Sequence, residues 1–233
     1  MTLVDGRVAS TQLDDPDYDL RIQTSGDYKG WRSGAAKKEP WTFEWLKTIG
    51  HGVFYDVGAC VGSYSLMAAA RGARVVAIEP VPVNVRECYA NRRLNTVYFE
   101  ILPCAAGSAL SKGMMFVSPT PGYGNASIVH RGAGQTESIG VVVRTLLDIA
   151  NELRPLMRLP SHIKIDVEGA EVEVMRGAGT VLDTVESVIC EIRDDTNESE
   201  VLLIAQAHGL ESVWSGGRRT EDERTHVFRR THA

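Results

Sequence analysis

The chain is poor in the features that announce a stapled or membrane-bound protein. Four cysteines in 233 residues, Cys60, Cys88, Cys104 and Cys190, form no CxxC pair and no zinc-ligand spacing. They read as reduced, mostly buried thiols. The longest apolar runs, such as Leu66 to Ala70 and Val201 to Ala205, fall far short of the roughly 20 residues a membrane helix requires. Nothing is expected to span a bilayer. A cationic excess is also missing: 25 Lys and Arg against 30 Asp and Glu give a net charge of −5. This argues against a sequence-independent nucleic-acid or anionic-membrane binder, which needs a concentrated positive field. Met1 to Asp19 lacks the basic start and apolar stretch of a signal peptide, so a cytoplasmic location is expected. No internal repeat and no low-complexity segment interrupts the chain.

A length of 233 residues with 43% hydrophobic and 24% charged side chains suits one globular domain with its own core. Residues 1–40, rich in Asp, Gly, Ser and Lys, read as an arm or lid before a single domain over 41–233. Aromatic residues at Trp31, Trp41, Phe43 and Trp45 are dense enough to require a packing partner, either under a lid or at a subunit contact that would make a homo-oligomer. Trp41 to Ile49 carries helical spacing and stops at Gly50. Beyond it, short β-branched runs alternate with helical stretches: Val53 to Val57, Ser63 to Arg71, Arg74 to Ile78, Pro82 to Leu94 and Val97 to Leu102. Such alternation builds a parallel sheet with right-handed crossovers. Residues 107–140 break the rhythm with Gly and Pro punctuation and read as a hairpin or excursion on the substrate side. Alternation resumes with His162 to Val167, helices from Ala170 and Glu198, and strands at Val185 to Ile192, Glu211 to Trp214 and His226 to Arg229; the last two imply an antiparallel edge.

Three motifs carry chemistry. In Asp56-Val57-Gly58-Ala59-Cys60-Val61-Gly62 a strand runs into a glycine turn and then a helix N-terminus. There, free N–H groups and the helix dipole favour an anionic ligand group. The spacing is Gly-x-x-x-Gly, so the dinucleotide fingerprint is absent and a nicotinamide oxidoreductase is the weaker alternative. Asp56 at the strand end suits the cationic part of an amino-acid moiety. Ala77-Ile78-Glu79-Pro80 then closes the next strand with a carboxylate, about 20 residues on, where it can accept from both hydroxyls of a ribose. A nucleoside with a short zwitterionic tail, S-adenosylmethionine, satisfies both sites better than a dinucleotide. Asp56, Gly58, Ala59, Cys60, Gly62, Glu79 and Pro80 form the expected cofactor set.

The third motif is Lys164-Ile165-Asp166-Val167-Glu168-Gly169-Ala170-Glu171, where Lys164, Asp166 and Glu168 share one strand face. Three charges on a central strand suit the carboxyl end of the sheet, where α/β proteins place their ligand crevice. Asp166 is the first candidate for general base, with Glu168 and His130 in reserve and Lys164 holding a carboxylate ionised. Asn125, Ser127 and Glu191 are candidate acceptor contacts, and Asn84, Asn91 and Asn95 cap a helix or touch the cofactor. A divalent metal on Asp166 and a second carboxylate is an alternative activator of a hydroxyl, although no ligand spacing indicates one. The arginine pairs 92–93, 218–219 and 229–230 read as solvated surface.

Together with Val143-Arg144-Thr145-Leu146-Leu147-Asp148, these motifs resemble the successive motifs of the FkbM family of S-adenosylmethionine-dependent methyltransferases over about Val53 to Arg193. The resemblance implies a class I methyltransferase (Rossmann-like) fold, a doubly wound, mostly parallel seven-stranded α/β sheet with an antiparallel last strand. It also implies O-methylation of a hydroxyl on a sugar, glycan or secondary metabolite. Asp56, Gly58 and Glu79 would then bind the cofactor, and Asp166 and Glu168 face the methyl-transfer site. Cys60 stands where the family commonly has Asn. The absence of an Asn/Asp-Pro-Pro-aromatic tetrapeptide weakens N-methylation of nucleic acid. A catalytically silent cofactor-binding or scaffold protein is the alternative outside enzymology.

Overall fold

In the computed structural model the described residues are 3–4, 7–123, 126, 136–217 and 224–231. Two short antiparallel hairpins open the chain, β1 (Leu3–Val4) with β2 (Arg7–Val8) and β3 (Ser10–Gln12) with β4 (Arg21–Gln23). Helices α1 (Ala35–Lys38) and α2 (Pro40–Leu46) follow, the second started by a proline at a position where no N–H is needed. The alternating segment then forms β5 (Val53–Val57), α3 (Ser63–Ala70), β6 (Arg74–Ile78), α4 (Pro82–Asn95) and β7 (Glu100–Leu102).

The excursion is a small sheet of its own. β8 (Ala105–Ala106) runs parallel to β10 (Glu137–Arg144), which pairs antiparallel with β9 (Ser111–Val117). It therefore reaches past Gly140 to Arg144. Thr145 caps α5 (Leu146–Leu153) by accepting from the Asp148 N–H. After it come β11 (His162–Ile165), α6 (Glu171–Ala178), β12 (Ser187–Ile192), α7 (Asp195–Ala207), β13 (Leu210–Gly216) and β14 (Arg224–Arg230).

The seven-stranded sheet has the order β13-β14-β12-β11-β5-β6-β7. β5, β6, β7, β11 and β12 are parallel, and β14 is antiparallel to both of its neighbours. The antiparallel strand is thus one place in from the edge rather than on it. The α7 crossover sets β13 one strand-width beyond β12, and the hairpin return fills the gap. Strand alternation divides the core. Tyr55, Val57, Ile163 and Ile165 pack with α5, α6 and α7 on one side. Phe54, Val75, Ala77 and Ile189 pack with α2, α3 and α4 on the other.

The segment 13–36 joins this second layer, with Leu13, Leu20, Ile22, Ala35 and Ala36 in its core. Its attachment is polar as well. Asn91 accepts from the Gln23 N–H at 2.8 Å, and Asn95 accepts from the Arg21 N–H at 2.7 Å while donating to the Arg21 carbonyl. The two amides occupy one face of α4, where they serve the otherwise open edge of β4. Arg71, which caps the end of α3, pairs with Asp15 and Asp17. Arg230 is not solvated: it donates to the carbonyls of Val185, His208 and Leu182, closing the end of a helical turn. Arg92 likewise donates to the Phe99 carbonyl, between Tyr89 and Tyr98. Arg218 and Arg219 lie outside the described residues. Among the described residues, no helix is long and apolar enough to cross a membrane.

Candidate active site

At the carboxyl end of β5 the chain must turn within van der Waals reach of the neighbouring strand's exit. Gly58 adopts φ +82°, and a Cβ there would lie 1.9 Å from the Asp166 carbonyl oxygen. No side chain fits. The Gly58 N–H donates to the Ile78 carbonyl at 2.9 Å. Cys60, two residues on, sits at φ +52°, a left-handed conformation that Asn and Gly adopt more readily than Cys.

The turn and the end of β6 are tied by one carboxylate. Glu79 accepts the Cys60 N–H on Oε2 at 2.8 Å, and on Oε1 the Val81 N–H at 2.9 Å and Asn84 Nδ2 at 3.3 Å. Asn84 accepts in turn from the Gly122 N–H at 3.0 Å, linking the excursion to the same group. Burial pushes the Glu79 carboxyl up to about 7 against the opposing effect of these hydrogen bonds. Oε1 already accepts twice, whereas Oε2 keeps acceptor capacity beyond its one bond, and the residue lines a cleft of about 610 Å³. That volume is ordinary for a small-molecule site. Gly58, Cys60, Ile78 and Pro80 continue this wall, Ala105 and Met115 face it from the excursion, and Lys29, Trp31, Arg32 and Lys38 close it from the N-terminal segment.

The charged motif is divided by the end of its strand. Lys164 lies within β11, level with Asp56 on β5, and the two share the sheet face that packs on α3. Lys164 is buried, with Nζ 3.1 Å from Asp166 Oδ2 and 5.2 Å from the centre of the Tyr64 ring. Burial opposes its charge, yet Asp166, Asp56 and Glu39 together raise the ammonium above its ordinary value. β11 ends at Ile165, so Asp166 and Glu168 are not on a strand. Asp166 lines the cleft. Glu168 turns through φ +60° and pairs with Arg193, also on the cleft wall. Glu171, wholly buried behind them, accepts from the Gly169 N–H at 2.8 Å, and burial lifts it to about 7.

The structure brings Gly58, Cys60, Glu79, Pro80, Asp166 and Glu168 together around one cleft. Ala59 and Lys164 line a narrow recess that opens off it beside the turn. Asp56, expected as a cofactor ligand, lines neither. Strand alternation points it into the α3 layer, where Ser65 Oγ donates to Oδ2 at 2.7 Å and Oδ1 has no partner. Burial raises its carboxyl. Gly62 starts α3 with φ +85° and does not reach the cleft. Glu191, expected on the crevice, lines neither cleft nor recess; it borders a small void with Glu39, Thr225, Lys164 and Asp166, because its strand position shares the Lys164 face. Asn91 and Asn95 hold the N-terminal segment, whereas Asn84 lines the cleft. Asn125, Ser127 and His130 lie outside the described residues. Sequence reasoning missed Arg32, Trp31, Lys29 and Lys38 as cleft residues; the aromatic density around Trp31 was the available signal. Among the described residues, no three His, Cys, Asp or Glu side chains gather as a metal site.

Solved structures that share this architecture include two methyltransferases. Wild-type Trm5b from Pyrococcus abyssi superposes with a TM-score of 0.54 at 12% identity, over 95% of this chain and 56% of that one. The chain thus spans just over half of that protein's length. Magnesium protoporphyrin IX methyltransferase (ChlM) from Synechocystis, with bound S-adenosylmethionine, gives 0.51 at 13% identity, over 87% and 81%. Fold and turn together are those of a class I methyltransferase. Hexuronic acid methyltransferase AglP from Haloferax volcanii is 27% identical over 173 residues, 73% of this chain and 68% of that protein. The Methyltransferase FkbM domain matches residues 56–211, and the chain belongs to that family. Methyl transfer is the activity this membership supports.

Proposed function

We propose that the protein transfers a methyl group from S-adenosylmethionine to a hydroxyl of a sugar or glycan, with Asp166 as general base. The observation that carries the base assignment is the position of Asp166. It lines the cleft next to Gly58, held at 3.1 Å by a buried lysine. AglP, a relative that covers 73% of this chain and is named for hexuronic acid, supports a sugar acceptor.

The donor set fits the cofactor at two points. Glu79 offers a buried carboxylate for ribose hydroxyls, and Gly58 borders the cleft at the turn without a side chain. When bound, S-adenosylmethionine supplies an electrophilic methyl on a sulfonium. Asp166 is placed to accept the acceptor's proton as the new C–O bond forms and the C–S bond breaks. Lys164 pairs with that carboxylate beforehand. After the proton has moved, Asp56 and Glu39 still surround the lysine charge. The pair Glu168–Arg193 positions the acceptor side of the cleft.

The test is methyl transfer from isotopically labelled S-adenosylmethionine to uronic-acid and neutral oligosaccharides. Asp166→Asn should reduce turnover by about 10²- to 10⁴-fold, with S-adenosylhomocysteine affinity within about threefold of wild type. Unchanged turnover in that variant would remove Asp166 from the chemistry. Loss of turnover on chelation would favour the metal-assisted variant.

A further inference from the structure

The N-terminal segment places cations where the glycine turn leaves space. Off the main cleft, beside Gly58 and Cys60, runs the narrow recess bordered by Arg32, Lys38, Ser63, Tyr64 and Lys164. Asp166 is the carboxylate among its lining residues, set against three cations. Asp166 pairs with Lys164 and Glu39 with Lys38, so Arg32 is the cation of the three that a further negative charge would meet.

Arg32 is the preorganised member of this group. Its N–H donates to Asp27 Oδ1 at 2.9 Å, and its carbonyl accepts from Ser63 Oγ at 3.0 Å. Its Nε donates to the Gly122 carbonyl at 2.8 Å. Backbone and guanidinium are therefore both fixed. Among the described residues, its two terminal nitrogens make no hydrogen bond, and no carboxylate lies within ion-pair distance. A fixed guanidinium with its outer edge open to a recess is a site for a planar oxyanion.

We infer that Arg32, with Lys38 beside it, holds the carboxylate of the cofactor's amino-acid tail. The inference rests on the S-adenosylmethionine reading above. Glu79 lines the main cleft and not the recess, while Gly58 and Cys60 line both, so a tail extending past the turn from a ribose at Glu79 would reach the recess. An acidic group on the acceptor is the competing occupant of Arg32. The excursion and the Glu168–Arg193 pair, which border the main cleft, do not border the recess. Asp56, whose charge sequence reasoning assigned to the tail, borders neither space.

Calorimetric titration with two probes tests this. S-Adenosylhomocysteine carries the tail; 5′-methylthioadenosine has the same nucleoside thioether without it. Arg32→Ala is expected to weaken S-adenosylhomocysteine by at least about tenfold, in line with loss of a charge-assisted bidentate pair, and to change 5′-methylthioadenosine by less than about twofold. Arg32→Lys should fall between, because it keeps the charge and loses the fork. The nucleoside probe also reports whether the variant is folded. Equal weakening of both probes, or of neither, would overturn the assignment. If wild type binds neither probe, the cofactor reading itself fails and the assignment falls with it.

Discussion

The two walls of the cleft are made in opposite ways. The nucleoside wall is short-range: Gly58, Cys60 and Glu79 lie at the ends of two adjacent parallel strands, and one carboxylate ties them through backbone N–H groups. The facing wall is long-range. Arg32 reaches Gly122 across 90 positions of sequence, and Asn84 meets the same residue across 38. Backbone geometry dictates the first wall, whereas side chains from separate segments assemble the second. A nucleoside held through backbone groups suits the first kind of construction, and the charged tail assigned to Arg32, together with the acceptor, suits the second.

Changes to the nucleoside wall should therefore be the more damaging. The largest effect is expected from Gly58→Ala, whose Cβ would strike the Asp166 carbonyl oxygen. S-Adenosylhomocysteine affinity should fall more than about 100-fold or the fold be lost, at about 3 kcal/mol for a strained, clashing backbone. Gly140→Ala, at a β10 position with nothing within 4 Å of the new Cβ, should leave both affinity and melting temperature close to wild type. Equal behaviour of the two alanines in titration and thermal melts would erase the contrast.

An intermediate effect is expected at Glu79, and it depends on pH. Its carboxyl is raised from 4.5 to about 7 in the folded protein. Between those values the folded chain keeps a proton that the unfolded chain releases, so this group's contribution to stability falls as pH rises. Ligand hydroxyls donate to the ionised form, so binding should move the other way. S-Adenosylhomocysteine affinity should rise about tenfold from pH 6 to pH 8. Glu79→Gln should weaken binding at pH 8 and flatten the profile; a slope that survives the substitution would assign the titration elsewhere.

The smallest effect sharpens the comparison from the stabilising side. Cys60 holds a left-handed conformation that Asn tolerates better, so Cys60→Asn should add about 1 kcal/mol. That corresponds to about 2–4 °C in melting temperature for a chain of this size. A lower melting temperature would show that packing of the thiol outweighs backbone strain.

The same contrast explains what was legible in the sequence. The sheet, its crossovers and the residues of the turn follow from patterns within windows of a few residues, and β5, β6 and β11 formed where the β-branched runs lie. The place of β14 inside the sheet did not follow, because a hairpin return looks the same in sequence whether it extends an edge or fills a gap. Asp56 and Glu191 were misplaced for a related reason. Strand register gives both the Lys164 face of the sheet, and only the packed helices decide which face meets the cleft. Arg32 escaped because its role rests on a partner 90 positions away, beyond any local period.

The central claim is that this cleft is a cofactor site for methyl transfer, and its most direct measurement is a calorimetric titration of the wild-type protein with S-adenosylhomocysteine at pH 8. The account predicts one site per chain with a dissociation constant in the micromolar range, about 8 kcal/mol. No measurable heat with ligand in excess, across temperatures that would reveal a cancelling enthalpy, would contradict it.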